Sequence, residues 1–377
     1  MSYPTIHLRD ETMREGMQIE SADIPTSEKI RLINKLSETG LDHLVIGYFA
    51  SPRFTPQMRD VDAIIDSFTP RQGVTYSAGA PNAKGRERRA AHTPPLSEKA
   101  GRNARPTLEV RLSDTFQRRN TQSTQADQIA RWPRIIEQAK ASGATEAGIS
   151  VGCVWGCNFE GPYSDQDRMD MYERMHALWD EAGIPVTAIG FSDPVSWGMP
   201  HLVERNLEMV LERWPDLRHF FFHIHNARGT AIAQIYAILR VLDERHNLYL
   251  DSTCGGIGGC PYCGNGRATG MVPTEDLIVM LDQMGIQTGV DIKAMVEFCW
   301  DLEEVLGRPL MGHVSKAGWL PRNADELYDP NLPFIETYDQ ARHFIKGKEV
   351  TEGGIVPWRQ PIPAPTRPYG GAPASQQ

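Results

Sequence analysis

The chain has 377 residues, 40% of them hydrophobic and 23% charged, with a formal net charge of −9. This is the composition of a globular protein with a large core, and its acidic balance argues against nucleic acid or an anionic membrane as partner. No stretch approaches the roughly 20 apolar residues that span a bilayer, Met1-Ser2-Tyr3-Pro4 does not open a secretory signal, and six cysteines are too few for a disulfide scaffold, so free thiols in a cytoplasmic setting are expected.

Strand-like and helix-like stretches alternate from the start. Residues 5–8 predict a strand, and residues 26–40 a helix with caps at Thr26, Ser27 and Glu28, a stripe of Ile30, Leu32, Ile33 and Leu36, and a stop at Gly40. A strand at 43–46, a helix at 61–68 and a strand at 73–78 follow. The basic stretch from Lys84 to Arg105 reads as a solvated loop, with an insertion at 92–105. Next come a strand at 108–112 and a helix at 124–142, in which Pro133 marks a kink or a break. Strands at 147–152, 185–191, 219–225 and 248–250 then alternate with helices at 164–183, 200–213, 230–243 and 274–284, the last capped by Thr274 with Glu275 and Asp276 in its first turn.

About eight βα units in series imply a parallel sheet, and over some 285 residues they favour a closed (β/α)8 barrel, a TIM barrel, over an open one. No GxGxxG or GxxxxGK[ST] follows the first strand, which removes the main support for a dinucleotide or P-loop fold. The expected organisation is a barrel over 1–290, a helical and irregular C-terminal extension over 291–360, starting with a helix at 291–305, and a flexible tail over 361–377.

Active residues of such barrels lie at the C-terminal ends of the strands. His223 and His225 stand two apart on the seventh strand, so both face the lumen. The segment after the first strand offers Asp10, Glu11 and Glu15 as carboxylates to join them on a divalent metal, with Arg14 beside Glu15 to hold an enolate oxygen or a carboxylate. Cys260 lies in a Gly-rich loop after the eighth strand, suited to a mobile lid carrying an acid–base thiol. Cys260 and Cys263 form a CxxC, which reads equally as half of a zinc knuckle or as a redox pair; Cys153 and Cys157 would complete a zinc site if the two loops met.

Arg14-Glu15-Gly16-Met17-Gln18, His223-Ile224-His225-Asn226 and Gly255-Gly256-Ile257-Gly258-Gly259-Cys260-Pro261-Tyr262 together resemble the signatures of the DRE-TIM metallolyases, with 3-hydroxy-3-methylglutaryl-CoA lyase as the nearest branch. Phe49-Ala50-Ser51-Pro52, Pro81-Asn82 and Cys153-Val154-Trp155-Gly156-Cys157 extend the likeness over roughly residues 5–318. The resemblance implies Glu15, His223 and His225 as ligands of Mg2+ or Mn2+, with Zn2+ as the other candidate. It implies Arg14, Cys260 and Asp193 as catalytic residues, Asp193 or a relay through His223 taking the substrate's hydroxyl proton. Gln18, Asn82, Asn226 and Asn265 are the expected substrate-binding residues.

Three positions depart from the lyase pattern. Glu15 stands where the lyase has Asp, as in homocitrate synthases; the second strand, His43-Leu44-Val45-Ile46-Gly47-Tyr48, has no acid; and Met271 falls where the lyase has an Asn ligand, with Asn265 in a nearby insertion. The expected activity is a metal-dependent retro-Claisen or retro-aldol cleavage of a 3-hydroxy-3-substituted acyl-CoA or related 3-hydroxy acid. The alternatives are an acyl-CoA/2-oxo acid condensing synthase of the homocitrate or isopropylmalate type, an aldolase on a free acid, and a non-catalytic zinc protein. Its expected partners are a small-molecule substrate and further copies of itself in a homo-oligomer.

Overall fold

The structure, a computed structural model, describes residues 2–97, 105–364 and 369. Eight parallel strands form the barrel: β1 (Thr5–Asp10), β2 (His43–Tyr48), β3 (Thr75–Gly79), β4 (Thr107–Arg111), β5 (Ala147–Gly152), β6 (Val186–Asp193), β7 (His219–Ile224) and β8 (Asn247–Ser252). Their order in the sheet is 3-2-1-8-7-6-5-4, the cyclic order of a (β/α)8 TIM barrel. β1 pairs with β8 over six residues but meets β2 only at Asp10 and Leu44. The seam lies between β3 and β4, where Leu96 bridges to Tyr76 and the Ser97 N–H donates to the Tyr76 carbonyl at 2.8 Å. Part of the expected insertion, residues 98–104, lies outside the described residues, as do 365–368 and 370–377 of the expected tail.

The strands read as buried runs because helices cover their outer face while the lumen fills the inner one. On β7, Phe220 and Phe222 are buried in the main core, while Phe221 points inward and stacks on Tyr249 of β8, centroids 4.2 Å apart. Tyr249 also stacks on His7 of β1 at 4.4 Å, so three rings plug the lumen floor. One step up the same strand faces stand Arg9, Asp251 and His223; the next step reaches Glu11, His225 and the barrel mouth. The two-residue period of each strand thus stacks an aromatic floor, a charged layer and a polar mouth.

The expected helix at 124–142 is two helices, Gln125–Ile129 and Trp132–Ala141, with Pro133 in the first turn of the second. Two helices in the basic and polar stretches were not expected, Ala83–Ala90 and Asp114–Thr121. Helix Ile292–Leu306, expected in the extension, buries Met295, Val296, Phe298, Cys299 and Leu302 in the main core, so the barrel's packing runs past residue 290. Beyond it, residues 319–364 are irregular chain with 3-10 turns and a one-turn helix, His343–Lys346, and with Leu320, Phe334, Ile355 and Val356 exposed. No helix among the described residues is long and apolar enough to cross a membrane.

Helix Thr274–Gln283 carries Glu275 in its first turn, wholly buried, with Oε2 accepting the Gly255 N–H at 2.8 Å. Burial pushes this carboxyl from 4.5 up to about 7, Asp276 adding to the rise and the Gly255 N–H opposing it. The folded protein therefore holds the proton more tightly than the unfolded chain. That contribution is complete below the unfolded value and is lost as pH rises through about 7. Glu275→Gln, neutral at every pH, is expected to raise Tm by about 2 °C or more at pH 8 and to leave it nearly unchanged at pH 5. Melting curves at the two pH values check this; equal shifts at both contradict it.

Candidate metal centre in the barrel mouth

β1 ends in a tight π-turn, Thr12–Gly16, that sends neighbouring carboxylates in different directions. Asp10 turns down: its oxygens accept from Thr12 N and Oγ1, both at 2.9 Å, and from Thr274 Oγ1 at 3.1 Å, and burial pushes its carboxyl up to about 6. It braces the turn and is not a ligand. Glu11 lies 3.2 Å from Arg9 and 3.7 Å from Arg14, and its Oε2 makes no hydrogen bond among the described residues. Glu15 alone reaches the histidines. A side chain on Gly16 would strike Ile257 at 2.7 Å, so the turn closes directly on the Gly-rich loop.

Glu15, His223 and His225 present one donor atom each, all within 4.8 Å of one another, the one such group of three among the described residues. His225 Nε2 lies 3.2 Å from His223 Nε2 and 3.7 Å from Glu15 Oε1. His223 Nδ1 is 2.8 Å from Asp251 Oδ2; the carboxylate can only accept, so Nδ1 carries the proton and Nε2 presents its lone pair. Burial, reinforced by His223 and Arg14, drives His225 well below the usual imidazole range, and it is neutral at pH 7. Two imidazole nitrogens and a carboxylate oxygen converge in this buried pocket, a donor set suited to a divalent cation. Neighbouring donors around an octahedral Mg2+ stand about 3 Å apart, so the set needs only slight tightening. The donors fit a divalent cation.

The surroundings fix these side chains. Arg9 makes a bidentate pair with Asp251 at 2.8 and 2.7 Å. Arg14 pairs with Glu15 and lies over the Tyr48 ring, 4.8 Å from its centroid. Gln18 Nε2 donates to Glu15 Oε1 at 2.7 Å. Arg14, Glu15, Gln18, His223, His225 and Cys260 all line one cleft of about 360 Å3, with Val45 at the second strand's place where no acid stands.

Four expected residues lie elsewhere. Asp193 is buried with its oxygens on Trp197 N at 3.1 Å and Gly198 N at 2.6 Å; it shapes the loop after β6 and does not line the cleft. Burial pushes it up to about 6 against those N–H groups. Asn82 caps helix Ala83–Ala90, its Oδ1 accepting from Gly85 N at 2.9 Å. Asn226 Oδ1 accepts from Ala231 N at 3.0 Å, closing the turn after β7. Asn265 is exposed, 3.4 Å from Asn158 Nδ2. Short polar side chains at turns bond their own backbone first, and these Asn residues do so or face solvent. Met271 reaches the centre only through a backbone bridge to His225.

The two cysteine loops do meet: Cys153, Cys157, Cys260 and Cys263 share a buried cluster with Phe116 and Val195. They form no tetrathiolate among the described residues. Cys157 Sγ accepts from Ser113 Oγ at 3.0 Å, and Cys263 Sγ donates to the Pro194 carbonyl at 2.8 Å. Asp251 and Arg9 are the functional residues the sequence reading missed. The signal was present in the alternation of polar residues along β1 and β8.

A parallel barrel with two imidazoles, a carboxylate and a cysteine gathered at its C-terminal mouth has its candidate site where barrel enzymes carry theirs. The chain belongs to the HMGL-like family, whose model matches residues 5–299. It is 31% identical over 312 residues to the hydroxymethylglutaryl-CoA lyase YngG of Bacillus subtilis, covering 82% of this chain and 96% of that one. It is 30% identical to the (R)-citramalyl-CoA lyase of Chloroflexus aurantiacus over 321 residues, 82% of this chain and 93% of the other. Among solved structures, an HMG-CoA lyase from Acinetobacter baumannii in complex with coenzyme A and 3-methylmalate matches with a TM-score of 0.65 and 29% identity, covering 84% of this chain and 95% of that one. The relatives are carbon–carbon lyases, and so is this protein.

Proposed function

We propose that the protein cleaves the carbon–carbon bond of a 3-hydroxy-3-substituted acyl-CoA, with Mg2+ or Mn2+ held by Glu15, His223 and His225. The convergence of those three donors on one point carries the reading. The bound cation supplies Lewis-acid polarisation of the substrate's hydroxyl and carbonyl oxygens. Arg14 turns its guanidinium into the cleft and stabilises the enolate oxygen as charge develops there. Glu11, with one oxygen free of hydrogen bonds among the described residues, takes the hydroxyl proton in place of Asp193. Cys260, buried in the wall of the same cleft, returns a proton to the enolate carbon.

The named substrates of the two lyase relatives, hydroxymethylglutaryl-CoA and citramalyl-CoA, are both thioesters of hydroxy acids with a free carboxylate. The six unpaired cysteines support a reducing, cytoplasmic setting, and a homo-oligomer is part of the proposal. A panel of 3-hydroxyacyl-CoA thioesters, assayed before and after metal removal, tests it. Acetyl-CoA and an oxo acid should appear with Mg2+ or Mn2+ and vanish with a chelator. Cleavage of no panel member, or cleavage indifferent to chelation, contradicts the reading. Release of free thiol from acetyl-CoA with a 2-oxo acid would instead establish the condensing synthase.

A further inference from the structure

The cleft holds a third guanidinium beside Arg9 and Arg14. Arg9 is bound to Asp251 and Arg14 to Glu15. Arg111, the last residue of β4, lines the same cleft, yet its guanidinium has no hydrogen bond, ion pair or aromatic face among the described residues. Glu109, one step deeper on the same strand face, also lines the cleft but is not within ion-pair distance of it.

The barrel register gives Arg111 a direction. Arg111 pairs with Gly152, Gly152 with Ser192, and Ser192 with His223, so all four stand at one level of the wall. A side chain on Gly152 would fall 2.9 Å from Arg111 Cγ. The arginine stem therefore leans over Gly152, toward Ser192 and the histidines, and the missing side chain makes room for it. Three strand spacings of about 4.8 Å separate Arg111 from His223 along the wall, and less across the lumen. That gap suits an acyl group whose hydroxyl end sits at the triad. A partly buried cation without a partner is costly, and a carboxylate in its fork would make a charge-assisted, bidentate pair.

We propose that Arg111 binds a second carboxylate on the acyl part of the substrate. The preferred substrates are then 3-hydroxyacyl thioesters carrying two free carboxylates, one near the hydroxyl and one on a side arm. This rests on the lyase reading above for the placement of the hydroxyl end. Because Arg111 stands level with the triad, it meets the acyl group rather than the phosphates of coenzyme A.

The test compares a free hydroxy dicarboxylate with the matching hydroxy tricarboxylate. Binding to wild type, Arg111→Met and Arg111→Lys is measured by calorimetry at saturating Mg2+, without turnover. Wild type should prefer the tricarboxylate by about 10- to 100-fold, the usual value of a hydrogen bond to a charged group. The ratio should collapse to near one in R111M and recover in part in R111K. A wild-type ratio near one, or a ratio unchanged in R111M, overturns the proposal. So does an R111M variant that loses affinity for coenzyme A but keeps its ratio between the acids, because the cation would then serve the phosphates. If no thioester is cleaved while the ratio behaves as stated, the lyase reading fails and the Arg111 subsite stands.

Discussion

Glu15→Ala is expected to lower kcat by about three orders of magnitude and to abolish tight binding of one divalent ion per chain. Of the three carboxylates after β1, Glu15 is the one that reaches the two imidazoles, since Asp10 is turned onto Thr12 and Thr274 and Glu11 faces Arg9 and Arg14. Losing it leaves two imidazole nitrogens and no oxygen donor, a weak site for a hard cation. Lewis-acid stabilisation is worth several kcal/mol, and each 1.36 kcal/mol is tenfold in rate. Calorimetric titration with Mn2+ and single-turnover kinetics read the two effects separately. A variant that keeps its ion and loses only rate would make Glu15 a base and move the centre elsewhere. Far-ultraviolet circular dichroism guards against misfolding, because Glu15 also holds Gln18 and Arg14.

The second large effect is expected on the Gly-rich loop after β8. Cys260→Ala should reduce turnover by about 10²- to 10⁴-fold, the usual range for a positioned acid or base, while metal content stays near one ion per chain. Its thiol lines the cleft with the triad, but its backbone N–H is bound to Thr269 Oγ1 at 2.6 Å, so the loop keeps its anchor when the sulfur is removed. Cys263→Ala is the contrast: Cys263 does not itself line the cleft and its thiol donates to the carbonyl of Pro194, which does, so the variant should change stability more than rate. Equal rate losses in both variants would mean that the cluster acts as packing, and the proton role of Cys260 would be withdrawn.

Much of this arrangement is legible in the sequence, and the part that is not has physical causes. Alternating apolar runs and caps mark the eight βα units, and a spacing of two across the end of β7 places His223 and, just past it, His225 on the lumen face without any knowledge of contacts. Helices Ala83–Ala90 and Asp114–Thr121 escape notice because they are too charged to show an apolar stripe; Asn82 and Ser113 cap them instead. The π-turn that separates Asp10, Glu11 and Glu15 into three duties has no composition signature. The pair Arg9–Asp251 joins residues 242 apart in sequence, and only barrel closure brings them together. In their motifs Asn82 and Asn226 look substrate-binding and Asp193 catalytic, yet local backbone groups claim them first.

One cation at the barrel mouth underlies the whole account. Crystals grown with Mn2+ and measured at the manganese absorption edge test it most directly. The account predicts one strong anomalous peak per chain, about 2.0–2.3 Å from a Glu15 oxygen and from Nε2 of both His223 and His225. A peak elsewhere, or none at a concentration that supports turnover, would contradict it.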